Sequence, residues 1–123
     1  MPDAQTFADI AAVVRTYVEG MCLNDPANLC EAMHEKSCII GHSEGGLEWG
    51  TREAFIGVVD KATEAPDPSP WHAINAMSVV GDMAVVQAEN IFLGQHYDDT
   101  LTLPFDQNRW VIVSKVFVLR PAG

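Results

Sequence analysis

Three side chains in this sequence have the chemistry to move a proton inside an apolar enclosure: the carboxylate of Asp99, the imidazole of His72 and the phenol of Tyr17. In DDTLTLPF, strand alternation sets Asp99 on the side of Leu101, Leu103 and Phe105, with Thr100 and Thr102 opposite. In MAVVQAENIFL, Asn90 shares parity with Ala84, Val86, Ala88 and Phe92, and Gln87 and Glu89 fall on the other side. A desolvated carboxylate is driven toward accepting protons. Asp99 or His72 would be the base, and Tyr17 and Asn90 would stabilise a developing oxyanion. Each has a plainer role as well. Asp98 and Asp99 can cap a turn after His96-Tyr97. Asn90 can end the buried part of its strand and bond backbone. Tyr17 can pack its ring and wet its hydroxyl. His72 shares parity with Ile74 but also with Ser78.

The other reactive residues form no motif. His34, His42, His72 and His96 give no His-x-His or His-x-x-x-His spacing, and Cys22, Cys30 and Cys38 give no Cys-x-x-Cys pair, so no metal site is expected. No G-x-S-x-G elbow and no Gly-rich phosphate loop occur, and no cofactor is expected. His34 is read as ending a short helix, where a cation suits the dipole, and His96 as lying on an exposed turn.

The elements that would position these groups follow from periodicity. Phe7, Ile10, Ala11, Val14, Val18 and Met21 recur at helical spacing and predict a helix over about Phe7 to Met21, with Thr6 as N-cap. Asp25-Pro26 starts a second short helix with Leu29, Cys30 and Met33 buried. SCIIGHSEGGLEW reads as a hairpin from Cys38–Ile40 to Leu47–Trp49, turning at Glu44-Gly45-Gly46. Thr51 caps a third helix carrying Phe55, Val58, Val59 and Ala62, and EAPDPSP is a loop. WHAINAMSVV and MAVVQAENIFL flank a Gly81-Asp82 turn, DTLTLPF is a third strand, and RWVIVSKVFVL follows a turn at FDQN. Helices first and four long strands afterwards predict an α+β fold, with helices on one face of a curved antiparallel sheet.

Bulk properties bound the function. A chain of 123 residues is one domain by default and buries roughly two thirds of its unfolded surface. Seventeen Asp and Glu against seven Lys and Arg, a formal charge of −10, argue against nucleic acid and anionic membranes. Three unpatterned cysteines suit a reducing compartment, and the opening MPDAQTFADIAAVV is acidic where a signal peptide is basic. No apolar run reaches membrane-spanning length. A cytoplasmic protein is expected.

The order of these elements resembles the nuclear transport factor 2-like superfamily, a cone-shaped α+β barrel. YVEGMCLNDPANLCEAMHEKSCIIG is similar to its opening "F-H-x-x-A" segment, VVGDMAVVQAE to its "G-D-x-A" hairpin, and LTLPFDQNRWVIVSKVF to its "T-L" and "W-x-I-x-x-K" ending. His34 matches the "F-H" position with Met33 in place of Phe. The likeness runs from about Phe7 to Phe117 and is nearest the SnoaL-like, lumazine-binding branch. The resemblance implies a pocket between the concave sheet face and the helices, and a homodimer through the outer face. It implies no single function, because that superfamily holds isomerases, dehydratases, cyclases and binding or scaffold proteins. An apolar pocket wall of Tyr17, Trp49, Phe55, His72, Asn90, Phe92, Asp99, Trp110 and Ser114 is expected. Three roles compete: a small-molecule binder, a cofactor-free isomerase, dehydratase or cyclase acting on a small carbonyl compound, and an interaction module.

In RWVIVSKVFVL both faces are apolar. Trp110, Ile112 and Ser114 are read as inward, so Val111, Val113, Lys115, Phe117 and Leu119 form an outer face that a second subunit would cover. Lys115 would snorkel there or pair with an acid such as Glu89. A bulge at Ser114 would instead turn Lys115 into the pocket.

Overall fold

The computed structural model describes residues 2–43 and 45–121. Glu44, within the expected hairpin turn, lies outside them. Helix α1 (Ala4–Cys22) buries Ile10, Val14, Tyr17, Val18 and Met21, the stripe that the spacing predicts. Its N-cap is Asp3 rather than Thr6. The Asp3 carboxylate accepts from the Thr6 backbone N–H at 2.9 Å and from the Thr6 hydroxyl at 3.0 Å, so an acid three residues upstream outcompetes Thr6. Asn24, in the left-handed region at φ 53°, closes the helix. Asp25 then caps α2 (Pro26–Ala32) through the Asn28 N–H. A Cβ at Gly20 would sit 3.0 Å from Asn28 Cβ and from Leu29, so this glycine lets α1 and α2 approach closely.

Helix α2 is shorter than expected. Met33 and His34 open strand β1 (Met33–Ser43) instead of ending a helix. The dipole role expected for His34 therefore falls away, and its Nδ1 accepts from the Lys36 N–H at 3.0 Å. Strand β2 (Gly46–Thr51) pairs back on β1, and Thr51 caps α3 (Arg52–Ala62) by accepting from the Ala54 N–H. Then come β3 (His72–Val80), β4 (Met83–Phe92), β5 (Gln95–Asp106), β6 (Arg109–Trp110) and β7 (Ile112–Leu119). Gln107 and Asn108 both have positive φ, the geometry of a two-residue hairpin turn.

The strand order is β2-β1-β7-β5-β4-β3, with β6 paired to β5. All pairs are antiparallel except β1 with β7. Three irregularities curve the sheet. On β1, the stretch between Met33 and Cys38 outruns that between Ile112 and Ser114, and Ser37 ties the surplus down by donating to His34 O and Ile112 O. On β3, one residue bulges at Asn75, so His72 and Ile74 face inward and, beyond the bulge, Met77 and Val79 do, with Ser78 turned out. The third lies in the closing strand. Phe105 pairs with Trp110 and Thr102 with Ser114, so three steps on β5 oppose four on β6–β7.

That extra residue reverses the expected parity. Val111 and Ile112 are both buried, and beyond them Lys115 and Phe117 face the concave side, while Ser114, Val116 and Val118 face out. The reading of Lys115 and Phe117 as outer-face residues, and of Ser114 as a pocket residue, is therefore corrected. The bulge lies ahead of Ser114, and two buried residues in a row erase the alternation that would have revealed it. Glu89 is not paired with Lys115; its partners are Asn75, His96 and Arg120.

Candidate functional site

Inside the cone, α1, β4, β5 and β7 bring four polar side chains together. Ala88 pairs with Asp99 and Leu101 with Lys115, which aligns Asn90, Asp99 and Lys115 on the concave face across from Tyr17. The Tyr17 hydroxyl donates to Asp99 Oδ2 at 2.7 Å, and Asn90 Nδ2 donates to the same oxygen at 2.9 Å. Asp99 Oδ1 and Asn90 Oδ1 are buried with no hydrogen-bond partner. The structure thus puts Asp99 in the interior rather than in a solvent turn. It also engages both Tyr17 and Asn90 on the carboxylate, where the sequence reading gave them to a substrate oxyanion.

Lys115 is the fourth member. It is only 4% exposed. Its Nζ lies 4.0 Å from the Phe55 ring centroid, 4.9 Å from those of Tyr17 and Phe117, and 4.0 Å from Met21 Sδ. Three ring faces thus carry part of the stabilisation that water would give the ammonium. Burial pulls the Lys115 pKa down from 10.5 to about 8, against the Asp99 and Cys22 charges that would raise it. Burial, followed by the neighbouring Asp99 charge, holds Tyr17 well above an ordinary phenol. The Cys22 thiol, which donates to Ile91 O, is pushed up to about 11, first by burial.

An opening lies on the far side of the aromatic rings, and none of the four polar side chains lines it. Ile39, Gly41, Trp49, Ala54, Phe55, Val58 and Phe117 line an open cleft of about 170 Å³ between α3 and the β1–β2 hairpin. Phe55 and Phe117 therefore show one side to the cleft and the other to Lys115. Trp49 stands at the rim, 72% exposed. Gly41 is needed here, because a Cβ would run into the Phe117 ring.

The remaining candidates are dispersed. His72 is half-buried; burial, then Arg15, lowers its pKa, and it makes no hydrogen bond to Asp99. Trp110 packs on Phe105 at 5.3 Å beside a separate cleft under α1. Phe92 lines another with Cys22, Thr63 and Asp67. On the convex face Glu89, His96 and Asp98 are close enough to share a cation, but Arg120 sits among them, 2.7 Å from Asp98 and 3.9 Å from Glu89. Lys115, Met21 and Phe117 are the interior residues missing from the expected pocket list. The signal available for Lys115 was the alternative bulge that turns it inward.

Three helices on one face of a curved, unclosed sheet, with a polar cluster at its centre, define a nuclear transport factor 2-like (NTF2-like) cone. Residues 5–118 match the family described as "Putative lumazine-binding", and the chain belongs to that family. The chain is similar to an NTF2-like protein of unknown function from Silicibacter pomeroyi DSS-3, with 38% identity, a TM-score of 0.90, and 98% of this chain and 100% of that one covered. A second NTF2-like protein of unknown function, from Shewanella baltica OS155, has 23% identity and a TM-score of 0.88, with 99% of each chain covered. A ketosteroid isomerase-like protein from Erwinia carotovora atroseptica SCRI1043 shares the fold at 12% identity and a TM-score of 0.75, with 98% of this chain and 100% of that one covered. No curated protein matches the chain. No helix of the described residues is long and apolar enough to cross a membrane.

Proposed function

We propose that this protein binds a small, flat molecule with a polar edge, which enters between α3 and the β1–β2 hairpin and reaches Asp99, Asn90 and Lys115. One observation carries the reading: two buried acceptors, Asp99 Oδ1 and Asn90 Oδ1, stand without donors beside a buried ammonium whose hydrogen bond goes to the weakly accepting Met21 thioether at 4.0 Å. Leaving a buried polar atom unpaired costs about 1–3 kcal/mol. A ligand offering an N–H or O–H to the acceptors and a carbonyl to Lys115 would recover that energy. The cleft volume, small against the roughly 300–1,000 Å³ of drug-sized sites, suits one or two rings. The family's label points the same way, lumazine being a flat pteridinedione with N–H donors and carbonyls. Thermal denaturation against a panel of mono- and bicyclic heterocycles tests this. A true ligand at roughly 100 times its Kd stabilises the fold by about 2.7 kcal/mol, and Asp99→Ala should remove that gain. A panel that stabilises wild type and variant alike would dismiss the site.

A second reading is acid–base catalysis, favoured by the Tyr17–Asp99 hydrogen bond in an apolar chamber. It requires a ligand to displace Tyr17 or Asn90 from the carboxylate before either can serve an oxyanion. Turnover of an enolisable ketone by wild type, lost in Asp99→Ala, would support it over binding alone.

The convex face suits a homodimer, now through a corrected set of residues. Val116 and Val118 of β7 are 38% and 44% exposed, and Val85 of β4 is also open. Ile40 lies beside Val116. Covering such a patch is the usual reason for its presence. Sedimentation at micromolar concentration should give a dimer, and Val118→Asp a monomer; a monomeric wild type refutes the interface.

A further inference from the structure

The most unusual group in the molecule is Lys115. Its amine is buried among Phe55, Tyr17 and Phe117 and the Met21 thioether, and it has no carboxylate within ion-pair distance among the described residues. A lysine held only for structure would gain from such a partner. The ring that covers it most closely, Phe55, is also a wall of the cleft between α3 and the hairpin. A small molecule in that cleft is thus one ring away from the amine.

We infer that Lys115 is a nucleophile that forms an imine with small aromatic aldehydes admitted through this cleft. The inference rests on the ligand-site reading above and names the substrate class for it. The neutral amine adds to the aldehyde carbon, and the carbonyl oxygen takes up the proton that nitrogen gives up. The resulting hydroxyl leaves as water when the C=N bond forms. Starting from the ammonium, the products are the iminium and one water, with the positive charge unchanged. The same ring faces, and the Asp99 carboxylate beyond them, then hold the iminium. Nothing is oxidised or reduced, and no other reactant is needed.

The environment also favours the reactive form. The charged and titratable groups around Nζ are Tyr17 and Cys22 from α1 and Asp99 from β5, and burial outweighs the Asp99 charge, the larger of the opposing influences, in setting its proton affinity. Near neutral pH, Lys115 is in the neutral form on the order of 10² times more than an ordinary exposed lysine. Lys36 and Lys61 are the other two lysines of the chain and serve as internal controls.

The test is reductive trapping. Wild-type protein is incubated near neutral pH with benzaldehyde and sodium cyanoborohydride, and the adducts are located by peptide mass spectrometry. Lys115 should be modified at least about tenfold faster than Lys36 or Lys61. The adduct at that peptide should vanish in Lys115→Met and Lys115→Arg, both checked for folding by circular dichroism. Equal labelling of the three lysines, or none at Lys115, overturns the inference, and the wild-type map alone can decide this. Thermal denaturation with benzyl alcohol, which fits the same space and cannot form an imine, separates the two claims. Stabilisation without a Lys115 adduct leaves the ligand site and removes the imine; neither signal removes both.

Discussion

Replacing Lys115 by methionine should make the protein more stable at neutral pH, which is the reverse of most buried substitutions. Methionine keeps the unbranched stem and fills the same space among Phe55, Tyr17 and Phe117. It removes the cost of burying an ammonium. Between the ordinary 10.5 and the folded value of about 8, that cost is about 3 kcal/mol, at roughly 1.4 kcal/mol per tenfold change in proton affinity. Contacts with the ring faces return about 0.5–2 kcal/mol of it, so the net gain at neutral pH is about 2 kcal/mol. The pH dependence follows in sign. The unfolded chain holds the lysine proton up to about 10.5 and the folded chain releases it near 8, so between these values the unfolded state binds more protons and stability rises with pH. The advantage of Lys115→Met should therefore shrink by about 1 kcal/mol between about pH 7 and about pH 9. Cys22, raised to about 11, acts oppositely above its ordinary 9.0, because there the folded state keeps a proton the unfolded state has lost. The Lys115 charge only lowers the Cys22 value, so the thiol stays protonated in both folded proteins up to about pH 9 and contributes nearly equally to each. Urea denaturation of the two proteins at both pH values measures all of this. A variant that is less stable than wild type at neutral pH, by an amount independent of pH, would refute the desolvated ammonium.

Tyr17→Phe should cost about 1.5–3 kcal/mol, read by the same denaturation, because Asp99 Oδ2 loses a donor it cannot replace from solvent. Gly41→Ala should cost about 1–3 kcal/mol by driving into the Phe117 ring, and it should change ligand affinity more than a surface substitution of equal destabilisation. Asp25→Ala should lose about 1 kcal/mol as the cap of α2 disappears, with no effect on any ligand.

The fold was legible wherever a local rule acted alone. The amphipathic stripe of α1, the caps at Asp25 and Thr51 and the Gly81-Asp82 turn are each set by residues within a few positions of one another. Alternation along β4 and β5 likewise suffices to put Asn90 and Asp99 on the concave face, because their pairing runs unbroken from Met83↔Pro104 to Phe92↔Gln95. Legibility failed where a long-range pairing overrode local pattern. Met33 and His34 continue the helical spacing of α2, yet pairing of Met33 with Ile112 draws them into β1. In β7 the surplus residue falls in an all-apolar run, where no polar side chain marks the change of face. That one residue decides whether Lys115 meets solvent or the three rings. Which donors Asp99 receives was not readable either, since Tyr17 and Asp99 lie 82 positions apart and meet only once α1 packs on the sheet.

The central claim is that the buried cluster of Tyr17, Asn90, Asp99 and Lys115 receives a ligand through the cleft walled by Phe55 and Phe117. The most direct measurement is a crystal structure of the protein with a stabilising ring compound from the thermal panel. The account predicts the ring between Phe55 and Phe117, a donor on Asp99 Oδ1 or Asn90 Oδ1, and an acceptor on the Lys115 amine. A compound bound on the convex face or under α1, with the four side chains and both rings where they now stand, would contradict it.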